Sequence, residues 1–231
     1  CFDLRRYHDG FLLLGCDHSA PDVPAQPITQ EKMYNAFTEY VAFNNIIGIR
    51  NVGELNKSTE ENRSAELINV AEALHDKKIA SIADEIKRRY DEGGARVVLI
   101  AGPSSSGKTT FTKRLAIYLL TNLLQPKMIS LDNYFVDRVH TPRDESGDYD
   151  YESLYALDLQ QFNSDLKRLI AGEEVDMPTY SFEQGQRLYK GNKLKLGDRS
   201  ILLVEGIHGL NPELTSEITD CMKYRIYVSA L

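Results

Sequence analysis

The sequence is poor in cysteine and has no tryptophan. Its 231 residues include three cysteines, Cys1, Cys16 and Cys221. They are far apart and odd in number, without a C-x-x-C pair, so the sequence indicates neither a disulfide framework nor a zinc site. We therefore expect a reducing compartment, the cytoplasm. There is no secretory signal. Because the first residue is Cys rather than Met, we also expect that the chain does not start at the start of its gene.

Long hydrophobic runs are also missing. None approaches the length of a transmembrane helix, so we expect no membrane partner. Lys and Arg number 27 against 34 Asp and Glu, a net charge of −7, which argues against a protein that coats nucleic acid. Hydrophobic residues make up 42% and charged residues 26%, as in a globular protein with one large or two modest domains.

One motif carries clear chemistry. An apolar run, Val97 to Ala101, precedes a loop that fits the phosphate-loop pattern G-x-x-x-x-G-K-[ST], and a helical pattern follows. Glycines let backbone N–H groups curl around an anion, and the following helix points its positive end there. Lys108 would neutralise the outer phosphates, and the Thr109 hydroxyl can hold Mg²⁺. A plain glycine-serine turn is the alternative, which the flanking strand and helix disfavour. The predicted ATP-binding residues are Gly102, Pro103, Ser104, Ser105, Ser106, Gly107, Lys108, Thr109 and Thr110.

Strands and helices alternate after residue 95, which predicts an α/β fold with a parallel sheet flanked by helices, as in P-loop NTPases. Asp132 follows the predicted strand 128–131, and Glu205 follows the strand 201–204. Ligands of such sheets bind at the carboxyl ends of the strands, so we expect both carboxylates near the phosphate loop. Asp132 would suit a group that takes a proton from an acceptor hydroxyl. A turn cap is the alternative for Asp132, and an ion pair with Lys108 is the alternative for Glu205.

Five stretches resemble the uridine kinase and phosphoribulokinase family. In chain order they are GPSSSGKTT, ISLDNYF, GDYDYESLYALDL, MPTYSF and LLVEGIHGL, which fall within residues 96–229. The resemblance implies an ATP- and Mg²⁺-dependent kinase with Asp132 and Lys108 as catalytic residues. It implies that Thr109 and Glu205 hold the metal. It further implies that acceptor binding involves Asp150, Tyr149, Tyr180, Phe182 and Arg187, with Asp150 on the sugar hydroxyls.

The favoured function is a kinase that transfers the γ-phosphate of ATP to the 5′-hydroxyl of uridine or cytidine. One alternative is a kinase for another sugar-bearing acceptor, as in phosphoribulokinase. A second is an ATP-binding regulatory module without acceptor phosphorylation. The expected partner is a small nucleoside or sugar, no nucleic acid is expected, and homo-oligomerisation stays open.

The chain divides into three predicted parts. Residues 1–57 form a smaller α+β module, which resembles the threonyl-tRNA-synthetase-like extension of some bacterial relatives. Residues 58–94 form a helical connector, which a capping box from Ser58 to Glu61 would open. Residues 95–231 form the P-loop kinase domain. We expect it to be truncated at its C-terminus, because the chain ends directly after a predicted strand at 223–229.

Local signals predict three further features. His8-Asp9-Gly10 marks the turn of an N-terminal hairpin. Asp158 caps a helix that Gly172 closes. Gly191-Asn192 marks the tip of a second hairpin.

Overall fold

The structure, a computed structural model, describes residues 2–229. It has two compact units, which divide between Ala71 and Glu72. The first unit contains two strands and two helices, and a third helix runs across the division. These elements are β1 (Phe2–Tyr7), β2 (Gly10–Gly15), α1 (Glu31–Ile47), α2 (Val52–Glu60) and α3 (Ser64–Asp91).

The first unit is a small α+β module, as predicted. β1 and β2 pair antiparallel, and His8 takes a φ of 49° in the turn, so the predicted hairpin is confirmed. The His8 ring stacks on Tyr34 with ring centroids 4.0 Å apart. Its Nε2 lies 2.9 Å from a carboxylate oxygen of Glu31. These contacts join the hairpin to α1.

The prediction that Ser58 caps a helix is wrong. Ser58 is buried inside α2, and the next helix begins at Ser64. Asn51 is the cap in its place, because its side chain accepts from Glu54 N at 3.0 Å while Glu54 accepts from Arg50 N at 2.6 Å. A capping arrangement seven residues earlier therefore starts the helix first. The predicted boundary between residues 57 and 58 falls inside α2, and the three-part division of the chain stays a prediction.

The second unit is built on a parallel sheet. Its four strands lie in the order β4-β7-β3-β8, with all three pairings parallel. The α/β fold predicted from the sequence is therefore confirmed. A separate antiparallel hairpin, β5 with β6, adjoins the sheet region. The elements are β3 (Val97–Ala101), α4 (Lys108–Thr121), β4 (Gln125–Ser130), α5 (Leu159–Ile170), β5 (Val175–Ser181), β6 (Gln186–Leu194), β7 (Ser200–Glu205) and β8 (Lys223–Tyr227).

Helices cover both faces of this sheet. Val97 and Leu99 of β3 belong to a core that includes α5, whereas Val98 and Ile100 belong to a core that includes α3 and α4. Side chains of a strand alternate between faces, so a strand buried on both sides must be apolar throughout. Asp158 caps α5 as predicted and accepts from Gln161 N at 2.9 Å. No helix within residues 2–229 combines the length and apolarity needed to cross a bilayer.

The prediction that Gly191-Asn192 forms a hairpin tip is wrong. The turn between β5 and β6 lies at residues 182–185, and Gly191 lies inside β6. Asp176 pairs with Lys193 and Pro178 with Tyr189, so β6 has two more residues than β5 between these pairs. The glycine, at φ 76°, therefore belongs to a bulge and not a turn. This correction places Phe182 in the true turn.

Candidate active site

The phosphate loop joins the end of β3 to the start of α4. Ser106 N donates to Pro103 O at 3.2 Å, and both Ser105 and Gly107 take a left-handed φ, 59° and 84°. Gly107 is the N-cap of α4, and no side chain caps this helix. The first N–H groups of a helix have no partner within it. They are therefore available to a phosphate, together with the positive end of the helix dipole.

Close packing makes glycine necessary at the start of this loop. A Cβ on Gly102 would lie 2.1 Å from the backbone oxygen of Val228 and 2.8 Å from Ser106 Oγ. Ser106 Oγ is buried, and no atom of residues 2–229 is its hydrogen-bond partner. Lys108 Nζ donates to Pro103 O at 2.7 Å. Free N–H groups, a spare hydroxyl and an ammonium group together fit the phosphates of a nucleoside triphosphate.

A hydroxyl and a carboxylate meet at the end of the phosphate loop. Thr109 Oγ1 lies 3.0 Å and 3.2 Å from the two carboxylate oxygens of Glu205. The sheet produces this contact, because β7 pairs with β3 and sets Glu205 opposite Ile100. Mg²⁺ prefers oxygen ligands, so the donor set fits this metal. The two predicted metal ligands therefore lie side by side.

Asp132 lies in a 3₁₀ turn, Leu131–Tyr134, directly after β4. The turn is anchored because Tyr134 OH donates to the buried Asp165 at 3.1 Å. The Asp132 side chain is exposed, but it lines a cleft whose walls partly shield it from solvent. This desolvation raises the pKa of Asp132 above its ordinary value, and the positive charge of Lys108 partly opposes the shift. A carboxylate with a raised pKa is a better proton acceptor.

A cleft of about 490 Å³ brings the predicted groups together. The ends of three adjacent strands contribute to it, as expected for a parallel sheet. Its lining includes residues predicted for ATP, metal, catalysis and acceptor: Ser104, Ser105, Lys108, Thr109, Asp132, Phe182 and Glu205. The candidate phosphate-binding groups and the candidate base therefore line one open cleft.

A comparison with known families identifies this arrangement. The family model for the Phosphoribulokinase / Uridine kinase family matches residues 97–231, more than half of the chain. The chain belongs to this family. Membership of this kinase family implies the use of ATP and usually of Mg²⁺. The N-terminal extension lies outside the match, so its likeness to a synthetase module stays a prediction.

Several curated members of the family are similar to this chain. A uridine kinase of Schizosaccharomyces pombe is 35% identical over 127 residues, which are 54% of this chain and 27% of that protein. A uridine kinase of Deinococcus deserti is 30% identical over 134 residues, 58% of this chain and 61% of that protein. The chain thus spans between about a quarter and three fifths of the length of these relatives.

A solved structure of a possible uridine kinase from Bacillus stearothermophilus is also similar. It aligns with a TM-score of 0.46 and 23% sequence identity. The alignment covers 58% of this chain and 70% of that chain.

Two of the five acceptor residues that the family resemblance implies lie at the cleft wall. Phe182 is 55% exposed and lines the cleft. Tyr180 is 6% exposed and packs its ring against Phe182, with centroids 5.0 Å apart. Tyr180 therefore supports the wall from behind and does not line the cleft.

The other three acceptor residues lie outside the lining of the cleft. One oxygen of Asp150 accepts from the backbone N–H groups of Glu152 and Ser153, at 2.9 Å and 3.0 Å. Tyr149 lies 4.4 Å below the guanidinium of Arg143. Arg187, the fifth residue, forms an ion pair with Asp158 at 2.7 Å. The structure therefore gives Tyr149, Asp150 and Arg187 partners within the protein.

Sequence reasoning missed part of the cleft wall. Phe135, Tyr151 and Glu152 line the cleft. The Phe135 ring lies 5.2 Å from Tyr151 and 5.9 Å from Phe182, centroid to centroid, so the three form one aromatic wall. Two of these residues could have been found because they lie close in sequence to predicted site residues. Phe135 is in the same LDNYF stretch as Asp132, and Tyr151 follows Asp150. Aromatic residues usually fill cores, which is why neither was selected.

Proposed function

We propose that this protein is an ATP- and Mg²⁺-dependent kinase that phosphorylates the 5′-hydroxyl of uridine or cytidine. The observation that carries the proposal is the position of Asp132 in the same cleft as Lys108 and the phosphate loop. Nucleotide binding alone does not require a carboxylate beside the phosphates. Transfer to an alcohol does, because the acceptor hydroxyl must lose a proton. The names of the curated relatives, uridine kinases, support a nucleoside as the acceptor.

The phosphate loop would hold the triphosphate. Its free N–H groups and the N-terminus of α4 would bind the inner phosphates. Lys108 would leave the carbonyl of Pro103 and pair with the outer phosphates. Thr109 and Glu205 would hold Mg²⁺, which neutralises charge on the transferring group when bound. These residues would together stabilise the charge that develops during transfer.

Asp132 would orient the acceptor hydroxyl and take its proton. The hydroxyl oxygen forms a bond to the γ-phosphorus while the bond from that phosphorus to the β–γ bridging oxygen breaks. ADP leaves with the electron pair of that bond, and the proton passes to Asp132. The raised pKa of Asp132, caused by desolvation, makes the carboxylate a stronger base for this step.

The acceptor would lie against the aromatic wall. Phe182 offers a ring face on which a base can stack. Tyr180 would support that ring, and Tyr149 and Arg187 would complete the pocket only after leaving their present partners. Asp150 would accept hydrogen bonds from the sugar diol through the carboxylate oxygen that does not bind the backbone. A ribose-bearing nucleoside would satisfy both features.

Three further expectations stand as proposals. The cytoplasm is the proposed compartment, from the cysteine spacing. A small nucleoside or sugar is the proposed partner, and homo-oligomerisation stays open. Residues 1–57, 58–94 and 95–231 are proposed as the α+β module, the connector and the kinase domain.

The test is a screen of acceptors with radiolabelled ATP. Uridine, cytidine, other ribonucleosides and sugar phosphates are incubated with the protein and MgATP, and labelled products are separated by chromatography. Label on uridine or cytidine is the expected result. Label on a sugar phosphate would point to the phosphoribulokinase-like alternative. Slow hydrolysis that no acceptor accelerates would point to a regulatory module.

A further inference from the structure

Arg138 contacts both sides of the aromatic wall. It begins a 3₁₀ turn, Arg138–His140, and its side chain is half-buried. The guanidinium Nη2 donates to the backbone oxygen of Phe182. Nε of the same guanidinium lies 3.4 Å from Tyr151 OH. One side chain therefore contacts two residues that line the cleft from different segments of the chain.

Gly185 makes room for this arginine. A Cβ at Gly185 would lie 2.9 Å from both Cβ and Nε of Arg138, and 3.0 Å from its Cζ. Arg138 N also donates to Gly185 O at 2.7 Å. The backbone of Gly185, at φ 66°, is in the left-handed region that favours glycine. The turn between β5 and β6 is thus shaped around the arginine side chain.

The titration of Tyr151 agrees with this contact. Burial would raise the pKa of Tyr151, but the hydrogen bond with Arg138 and further favourable interactions outweigh it, so the pKa is lowered. The guanidinium thus interacts with the phenol of Tyr151 and with the backbone oxygen of Phe182, which lie on different segments of the cleft wall. A planar guanidinium can make both contacts with fixed geometry, whereas a lysine ammonium on a flexible stem can keep only one of them well placed.

We propose that Arg138 is a positioning residue for acceptor binding. It holds Phe182 and Tyr151 at the separation at which they bind the acceptor base. This inference rests on the proposed kinase function. Arg138 acts through its two partners and does not take part in phosphate transfer. Its loss should therefore weaken acceptor binding and leave ATP binding unchanged.

The experiment compares Arg138→Ala and Arg138→Lys with the unmodified protein. The KM for uridine, the KM for ATP and kcat are measured for each, with the thermal midpoint as a check of folding. For Arg138→Ala we expect the KM for uridine to rise about tenfold or more, as for one lost hydrogen bond to a charged group. The KM for ATP should stay unchanged. Arg138→Lys should give an intermediate KM for uridine, because it restores one contact.

Gly185→Ala tests the same arrangement without removing the arginine. Its new Cβ would displace the guanidinium, so the KM for uridine should rise again at unchanged net charge. Arg168→Ala is the matched control, because Arg168 is exposed and, like Arg138, donates to one side chain and one backbone oxygen, here those of Glu173 and Glu174. It should leave both KM values unchanged. If Arg138→Ala does not fold, Arg138→Lys and Gly185→Ala provide the same readouts.

Two outcomes would overturn the inference. Equal rises in the KM values for uridine and ATP would mean that Arg138 only stabilises the fold. An unchanged KM for uridine in a folded Arg138→Ala protein, with normal turnover by the unmodified protein, would reject the positioning role alone. Absence of any acceptor-dependent turnover in the unmodified protein would instead reject the proposed function, and this inference with it.

Discussion

The hydroxyl of Thr109 hydrogen-bonds to both carboxylate oxygens of Glu205, at 3.0 Å and 3.2 Å, although 96 residues separate them in the chain. The pair forms because β3 and β7 are neighbours in the sheet. Glu205 is the last residue of β7, and Thr109 lies in the first turn of α4, which the phosphate loop joins to the end of β3, so the sheet and the loop together fix their spacing. Oxygen ligands set in place by the fold lose little freedom when a cation binds.

Replacing Glu205 with Gln should weaken the dependence on Mg²⁺ specifically. The amide oxygen can still accept from Thr109, but the negative charge is lost. We expect the Mg²⁺ concentration for half-maximal turnover to rise by about 10–100-fold, the range for groups that tune a metal site. Titrating Mg²⁺ at saturating ATP measures it. Glu217→Gln, which alters an exposed pair with Lys167, is the control. An unchanged Mg²⁺ titration in Glu205→Gln would contradict the metal assignment.

Lys108→Ala should weaken ATP binding and abolish transfer. Lys108 is the cation that the loop motif supplies, and a hydrogen bond to a charged group contributes roughly 1.5–3 kcal/mol. Calorimetric titration of ATP into both proteins checks the affinity. Lys113→Ala is a matched control, because Lys113 is an exposed lysine of the same helix. Equal ATP affinity and turnover in Lys108→Ala would remove this lysine from the site.

Asp132→Asn should abolish most of the turnover and spare ATP binding. The amide has the same size but cannot take a proton. Because a general base typically contributes ~10²–10⁴-fold, turnover should fall by about that factor. Steady-state kinetics with uridine and calorimetry with ATP separate the two effects. A variant with normal turnover would exclude Asp132 as the base.

The pH dependence of turnover should reflect the titration of Asp132. A base works in its deprotonated form, and desolvation raises the pKa of this carboxyl above the ordinary value of 3.8. Turnover should therefore fall as the pH drops through that raised pKa, at a higher pH than for a fully solvated aspartate. The profile of kcat/KM for uridine measures it. The same acid limb in Asp132→Asn would assign the titration to another group.

Asp150→Asn should reduce discrimination against deoxyribose. If the free oxygen of Asp150 binds the sugar diol, 2′-deoxyuridine lacks one partner, which costs roughly 1–3 kcal/mol. Asn keeps an oxygen for the N–H groups of Glu152 and Ser153, so the loop should stay folded. The ratio of kcat/KM for uridine and 2′-deoxyuridine should be smaller in the variant. Equal efficiency with both nucleosides in the unmodified protein would reject the role.

Local sequence signals predicted the geometry of the candidate phosphate-binding half of the site. The β3 run is apolar throughout because both faces are buried, and the glycines of the loop follow from close packing and left-handed φ. Asp132 and Glu205 could be placed because the carboxyl ends of parallel strands share one edge. In each case the signal and the structural feature lie within a few residues of each other.

The acceptor half depends on contacts between distant segments, which no local pattern contains. Tyr151 and Phe182 meet only when the turn of β5 and β6 folds over the loop after Asp150. Gly191-Asn192 has the composition of a turn but lies in a bulge, because turns and bulges both use glycine in the left-handed conformation. The contact of Arg138 with Phe182 likewise joins residues 44 positions apart.

Because of the strand order, β3 is synthesised before both of the strands with which it pairs. Val97 pairs with Leu202 on one side and Lys223 on the other, so β3 is made long before either neighbour. At typical rates of translation, β3 would wait roughly 5–20 s for β7 to be made. During that interval the five apolar residues of β3, which are buried in the folded protein, lack both partner strands, and exposed apolar surface of this kind favours aggregation. Val228 N donates to Ala101 O at 2.7 Å, and the Val228 carbonyl lies against Gly102, so the contacts on this side of the start of the phosphate loop can form only after residue 228 has been made.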